Sequence, residues 1–295
     1  MGINLAVVGS GYWGSKVVAA LQKNRSVGKL QVIDIRNGQT IDDIDFDVTA
    51  AIIATPLWDH FDTSTKLLER GIDCYIEKPM AETTEQCKTL NGYAKDRIVM
   101  VGHIFLYHPA LQIVKDALAQ IGNVTLVKSE RLNWGIYQTK TTPLLSLLPH
   151  DISIVQELLK GSITVHDATQ MTFTSNIVPD YVNFSGKIGD INIDITGSWY
   201  WPERVRKLTV IGDKGHIVWD DNLNKVFVYS GEVKERRLTE LNIATMQPDE
   251  TLTPLEHELN HFIDCVVTRA TPKSDCNNAI DVALTIDAVK SLLAV

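Results

Sequence analysis

Six residues, Gly9-Ser10-Gly11-Tyr12-Trp13-Gly14, follow directly on the apolar run from Ile3 to Val8 and open a stretch of helical character. Glycines at that spacing leave few options. Gly9 permits a tight turn, Gly11 lets the backbone approach a ligand, and Gly14 lets helix pack on strand. The helix start also turns its unsatisfied N–H groups toward whatever lies above it, which suits a pyrophosphate. Twenty positions past Gly14, Asp34 closes a second apolar run at 30–33, where a carboxylate can accept the two hydroxyls of an adenosine ribose. Strand, turn, helix, strand and acid together predict a dinucleotide-binding unit, with Ser10, Tyr12 and Trp13 as the other residues of the cofactor turn. Asp34 favours NAD because it repels a 2′-phosphate. Arg36, two residues on, could pair with that phosphate, so NADP stays open as the alternative.

The chain has 295 residues, 44% of them apolar, enough for two globular domains. A net charge of −8 with no basic run argues against nucleic acid or an anionic membrane as partner. No apolar stretch is long enough to cross a bilayer. Folding is expected to begin at residue 3, without a signal or transit peptide. The four cysteines, Cys74, Cys87, Cys265 and Cys276, lack metal-ligand spacing and read as reduced thiols in a cytoplasmic protein.

Residues 1–120 alternate short β-rich runs (5–8, 30–33, 50–54, 74–76, 98–101) with helical stretches near 15–22, 60–70, 83–95 and 109–120. That alternation predicts a doubly wound parallel sheet of Rossmann type. Ligands lie at the carboxyl ends of such strands, so Asp34, Thr55-Pro56 and Glu77-Lys78-Pro79 should converge there. Between Asp34 and Thr49 only fourteen residues intervene, polar and acidic, so the link should hold at most a helical turn. Residues 121–295 read differently, as strands at 124–132, 163–175, 181–188, 191–201, 207–211, 216–219 and 225–229. Helices are expected at 151–160, 254–268 and 278–293, the last able to pack back on the first domain. This predicts an α+β domain on a large, mostly antiparallel open sheet, whose uncovered face suggests a homodimer or homotetramer. Trp199 and Trp201 should share one face of that sheet.

Several spaced segments together resemble the glucose–fructose oxidoreductase/inositol dehydrogenase (Gfo/Idh/MocA) family along essentially the whole chain. They are the glycine turn, Ala54-Thr55-Pro56 with His60, Glu77-Lys78-Pro79, Val101-Gly102-His103 and His108-Pro109-Ala110. Arg131-Leu132-Asn133-Trp134-Gly135, Pro149-His150-Asp151-Ile152-Ser153 and Leu208-Thr209-Val210-Ile211-Gly212 complete the set. Glu-Lys-Pro at a strand end is the most specific item. The Arg-Leu-Asn and Pro-His-Asp-Ile-Ser segments resemble a branch acting on nucleotide-linked amino sugars, including UDP-N-acetylglucosamine 3-dehydrogenases. The resemblance implies a small-molecule sugar or nucleotide-sugar substrate. It puts Lys78 near the nicotinamide and the reacting hydroxyl, and His60 and Glu77 on the cofactor side. It puts His103, Arg131, Asn133, Trp134, Ser146 and Asp151 with the substrate. Ser146 is a departure, since many members carry aspartate there, four residues before the catalytic histidine. The loop 137–143 matches no pattern of the family.

Oxidising a secondary alcohol needs a hydride acceptor, a base and a cation to steady the developing alkoxide. His150 titrates near neutrality and is the less demanding base, with Lys78 as its electrostatic partner; the reverse assignment stays open. His150 could instead cap a helix, although Asp151 is the better capping residue. The expected function is hydride transfer at C3 of a UDP-linked N-acetylhexosamine or its uronic acid. The alternatives are reduction of a keto sugar or cyclic imine, and a redox-silent NAD-sensing protein. His257-Glu258-Leu259-Asn260-His261 fits HExxH, but it lies in an ordinary amphipathic stripe with no third ligand apparent, so no metal is expected.

Overall fold

The computed structural model describes residues 2–293 apart from 46, 136, 140, 175–177, 235 and 236, and describes 232–241 by backbone alone. In chain order the first elements are β1 (Ile3–Val8), α1 (Tyr12–Gln22), β2 (Val27–Ile33), β3 (Ala50–Ile53), α2 (Leu57–Glu69), β4 (Asp73–Ile76), α3 (Thr84–Tyr93) and β5 (Val99–Val101). Next come α4 (Pro109–Ala117), β6 (Val124–Trp134), α5 (Pro143–Ser146), α6 (Leu148–Leu159), β7 (Thr164–Met171), β8 (Tyr181–Ile188) and β9 (Ile191–Ser198). The last are β10 (Tyr200–Gly212), β11 (Gly215–Asp220), β12 (Lys225–Lys234), β13 (Arg237–Met246), α7 (Pro254–Thr268) and α8 (Cys276–Leu293). Two compact units result: Met1–Tyr107 with Leu252–Ala283, and His108–Thr251 with Leu284–Val295. Among the described residues no helix is long and apolar enough to cross a membrane.

The first unit is a parallel five-stranded sheet in the order β2-β1-β3-β4-β5. A parallel sheet needs cover on both faces, so its inner strands carry unbroken apolar runs rather than alternation. Alternate residues divide between two cores. Ala6, Ala51, Ile53, Cys74 and Ile76 pack with Leu67 and Leu68 of α2, Leu90 of α3 and Cys276 and Ala279 of α8. Leu5, Val7, Ile52, Tyr75 and Met100 pack with Val17 and Leu21 of α1 and Leu259, Phe262 and Ile263 of α7. Between β2 and β3 there are two single 3-10 turns, Ile35–Asn37 and Ile41–Asp43, the second closed by a capping box of Thr40 and Asp43. The short acidic link thus turns without a full helix.

The second unit is an eight-stranded sheet, β13-β12-β11-β10-β6-β9-β8-β7, antiparallel throughout except where β6 and β9 run parallel. Inside it, Arg131 of β6 donates from Nε to the Asp151 carboxylate on α6 at 2.6 Å, and the Ser129 hydroxyl donates to the same carboxylate at 2.7 Å. All three side chains are buried. The pair ties the start of α6 to the middle of the sheet.

Some sequence expectations differ from these elements. The run 191–201 is two strands, because Trp199 falls at the break between β9 and β10; it is buried while Trp201 is exposed, so the two tryptophans do not share a face. Segment 207–211 is the end of a longer β10, and β13 was not foreseen because Arg237–Met246 mixes polar and apolar residues without clean alternation. The run 163–175 stops at Met171, and its last position lies outside the described residues. The division at 120 shifts as well. The amphipathic face of α7 completes the core around Leu5 and Tyr75, so residues 252–283 join the first unit. His108, at the start of α4, sets its ring 4.9 Å from that of Trp219, both in the second unit. Asp151, expected as a helix cap, lies inside α6, which starts at Leu148, and His150 is in its first turn.

A Cβ on Gly14 would sit 2.0 Å from the Gly9 carbonyl oxygen, whereas one on Gly11 would meet nothing within 4 Å. Gly14→Ala should therefore cost about 2 kcal/mol or more in urea denaturation, and Gly11→Ala less than about 0.5 kcal/mol. Removing one partner of a buried ion pair strands the other, so Asp151→Ala should cost about 3 kcal/mol in the same assay.

Candidate active site

The residues singled out by sequence in the first unit stand along one edge of its sheet. Gly9 follows β1, Asp34 follows β2, Thr55-Pro56 follow β3, Glu77-Lys78 follow β4, and Gly102-His103 follow β5. Strand order reverses at β1 and β3, where sheets of this class hold their ligands. Gly9 adopts φ +95°, a left-handed conformation that glycine accommodates freely, and its N–H donates to the Ile33 carbonyl at 2.8 Å. Gly11 is the N-cap of α1 and no side chain caps the helix there. An open N-terminus above an unobstructed Gly11 is a cradle that fits a dinucleotide pyrophosphate. Ser10 and the exposed Tyr12 flank it; Lys16 Nζ donates to the Tyr12 hydroxyl at 2.9 Å.

Asp34 is 4% exposed, and both of its carboxylate oxygens already accept hydrogen bonds. Arg36 donates to Oδ1 from its backbone N–H and from Nε, each at 2.9 Å, and Ser10 donates its backbone N–H to Oδ2 at 2.9 Å. The Arg36 guanidinium, then the Ser10 hydroxyl and two backbone N–H groups, hold the carboxyl far below its usual range. Asp34 is therefore an anion whose first partners are Arg36 and the glycine turn. Adenosine hydroxyls would join this cluster rather than meet a bare carboxylate.

The second cluster surrounds the Glu77-Lys78-Pro79 turn. The Trp13 indole N–H donates to Glu77 Oε1, and the Lys78 backbone N–H donates to Oε2 at 3.3 Å. Glu77 and Lys78 are half-buried. Burial pushes the Glu77 carboxyl up, against the pull of the Trp13 donor and the Lys78 ammonium. His103 is 1% exposed; burial, with the Lys78 ammonium second, brings its pKa down to about 3, so it is a neutral imidazole. His60 is buried too. Its Nδ1 lies 2.8 Å from the Pro79 carbonyl oxygen and its Nε2 2.9 Å from that of Thr55, so the ring sits between the turns after β3 and β4.

In the second unit His150 is half-buried, and the Ser153 hydroxyl donates to its carbonyl at 2.8 Å. The Ser146 hydroxyl donates to the Thr142 carbonyl at 3.0 Å. Arg131 and Asp151 turn their charged groups toward each other, and Asp151 directly follows His150 in α6. Asn133 donates to the Gly135 carbonyl. Trp134 is 65% exposed, with its ring 4.9 Å from that of Tyr200, and Phe173 lies 6.0 Å from Tyr200 on an exposed aromatic cluster. The loop 137–143 contains position 140, outside the described residues.

The place of one acid behind the Glu77 turn was not foreseen. Glu258, at the centre of the HExxH match, is fully buried, and its Oε2 lies 2.9 Å from the Tyr75 hydroxyl, which in turn lies 3.1 Å from Glu77 Oε1. His261 Nε2 accepts the Lys273 backbone N–H at 3.0 Å. The signal for Glu258 was its place on the apolar stripe of α7, between Leu255 and Phe262, where a charge is out of pattern.

Residues 32–105 match the family described as an oxidoreductase family with an NAD-binding Rossmann fold, GFO_IDH_MocA. A 2,7-anhydro-N-acetylneuraminate hydratase of Mediterraneibacter gnavus is 28% identical over 186 residues, covering 54% of this chain and 50% of that one. A UDP-N-acetylglucosamine 3-dehydrogenase of Acidithiobacillus ferrooxidans is 34% identical over 128 residues, covering 42% of this chain and 39% of the other. The chain thus spans half or less of the length of these relatives. Among solved structures, the Acidithiobacillus ferrooxidans enzyme GnnA superposes with a TM-score of 0.87 at 18% identity, covering 99% and 98% of the two chains. GenD2 from gentamicin A biosynthesis, solved in complex with NAD, gives 0.82 at 20% identity, covering 99% and 94%. These likenesses show the fold. Residues 32–105, within the unit that holds the glycine turn and the parallel sheet, are thus similar to the NAD-binding Rossmann domain of the GFO_IDH_MocA oxidoreductases.

Proposed function

We propose that this protein is an NAD-dependent oxidoreductase acting on a secondary alcohol of a sugar, with C3 of a UDP-linked N-acetylhexosamine or its uronic acid as the substrate position. The observation that carries the reading is the Glu77-Lys78 turn. A half-buried lysine follows a parallel strand, beside a neutral His103, on the same sheet edge as an open helix N-terminus. The 3-dehydrogenase relative supports the sugar class.

Gly9, Gly11 and the start of α1 would hold the pyrophosphate, and Asp34 with Arg36 and Ser10 the adenosine ribose. Thr55, Pro56 and the Glu77 turn would line the nicotinamide half. When bound, NAD supplies the hydride acceptor. Lys78 donates a hydrogen bond to the substrate oxygen and steadies its charge as the proton leaves. His103 stays neutral, so it adds no second positive charge beside that ammonium. His150 takes the hydroxyl proton, its helix turn fixed by the Asp151–Arg131 pair. The exposed Trp134–Tyr200 cluster offers ring faces on which a sugar or base can stack. Four free, buried cysteines suit a reducing cytoplasm. The wide second sheet, with Trp134, Trp201 and Ile243 exposed, suits a homo-oligomer.

A second reading has one specific support, the hydratase relative. In it the same residues act on an anhydro N-acetylated sugar acid, and the net reaction is redox-neutral.

A panel of UDP-sugars with NAD, followed by NADH absorbance, should show turnover with an N-acetylhexosamine member. Lys78→Ala and His150→Ala should each lower kcat/KM by about 100-fold or more. No turnover across the panel, or variants equal to wild type, contradicts the reading. Product formation from an anhydro sugar acid without net NADH favours the second.

A further inference from the structure

We propose that Glu258 is a neutral, proton-bearing carboxylic acid that positions Glu77 through a one-way hydrogen-bond chain, Glu258 to Tyr75 to Glu77. The inference concerns the first unit alone and does not depend on the sugar reading above. It rests on counting protons. The Tyr75 hydroxyl lies between two carboxyl oxygens, Glu258 Oε2 at 2.9 Å and Glu77 Oε1 at 3.1 Å. A phenol has one proton to donate. Were both carboxyls ionised, one contact would set lone pair against lone pair at a phenol that is 0% exposed. One carboxyl must therefore donate.

The surroundings decide which. Burial raises both carboxyls, but at Glu77 the Trp13 indole N–H, the Lys78 ammonium and the Lys78 backbone N–H oppose that rise. Glu258 is 0% exposed, and its Oε1 has no hydrogen-bond partner among the described residues. A bare oxygen of a buried carboxylate is far more costly than the carbonyl oxygen of a neutral acid. The proton thus sits on Glu258 Oε2 and points to Tyr75 Oη, whose own proton points to the Glu77 anion. The ionisable groups electrostatically linked to Glu258 are Glu77, Tyr75 and Tyr107. None of them supplies a positive charge. Burial, and the Glu77 carboxyl second, push Glu258 well above its usual range, in agreement with the donor count. Gly102 leaves room for the chain: a Cβ there would lie 2.7 Å from the Tyr75 hydroxyl and 2.9 Å from Glu77 Oε2.

Glu258 touches no reacting group in this account, so its role is to position. The amide of Glu258→Gln can donate to Tyr75 as the acid does, and that variant should fold with a Tm within a few degrees of wild type. Glu77→Gln, which removes the anion, should lose considerably more. Infrared spectra at neutral pH should show a carboxylic-acid carbonyl band that shifts in D2O, disappears in Glu258→Gln and persists in Glu77→Gln. A folded-state value above the unfolded one stabilises fully below the ordinary 4.5 and progressively less as pH rises. The Tm of wild type should thus fall with rising pH above 4.5 more steeply than that of Glu258→Gln. Wild type labelled with carboxyl-13C glutamate serves as a test free of mutation, with one glutamate retaining the acid form at neutral pH. No such signal, a band that survives Glu258→Gln, or a Glu258→Gln chain that fails to fold while Glu77→Gln folds, overturns the proposal.

Discussion

The hydrogen bond from the Trp13 indole to the Glu77 carboxylate joins two parts of the molecule that chemistry needs in register. Trp13 stands in the first turn of α1, directly after the glycines, and Glu77 stands where β4 ends. That contact gives the open start of α1 and the Lys78 turn a side-chain link in addition to the core packing around Tyr75 and α7. With it, they share a side-chain bridge to a half-buried carboxyl, where a hydrogen bond is stronger than one in water. The Glu77 backbone N–H also donates to the Ile53 carbonyl at 3.0 Å, so the bridge is rooted in β3.

Behind this bridge several buried polar groups of the first unit meet specific partners. Asp34 is fixed by Arg36 and Ser10, His60 sits between two carbonyl oxygens, and Tyr75 lies between two carboxyl groups. Each links elements distant in sequence, and each stands at the carboxyl edge of the sheet or in the core directly behind it. The second unit uses the same device with the Arg131–Asp151 pair and Ser129, which set the first turn of α6 and so the backbone of His150. Buried pairs of this kind add little net stability compared with apolar packing, but they define one geometry.

The parts of the site legible in the sequence are those governed by local sterics. The glycine turn, the acid after β2 and the proline-fixed turns after β3 and β4 can be read because each needs a residue type at a position. The short polar stretch after Asp34 likewise betrayed its lack of a helix. What escaped depends on contacts across the fold. Glu258 looked like part of a metal motif because spacing places it beside two histidines, and only the packing of α7 under Tyr75 reveals it as a core acid. Arg131 and Asp151 were read as substrate residues, since nothing local says that two charges 20 positions apart will bury each other. The break at Trp199 and the strand β13 were missed for the related reason that strand pairing is decided by the partner.

The bridge itself can be observed. Protein labelled with 15N-indole tryptophan, with Trp13→Phe to assign the signal, should show the Trp13 indole N–H shifted downfield and slow to exchange. In Glu77→Gln that resonance should move upfield toward those of exposed tryptophans, and dinucleotide affinity should fall with it. A Trp13 signal that neither moves nor gains exchange on loss of the Glu77 charge would contradict the account.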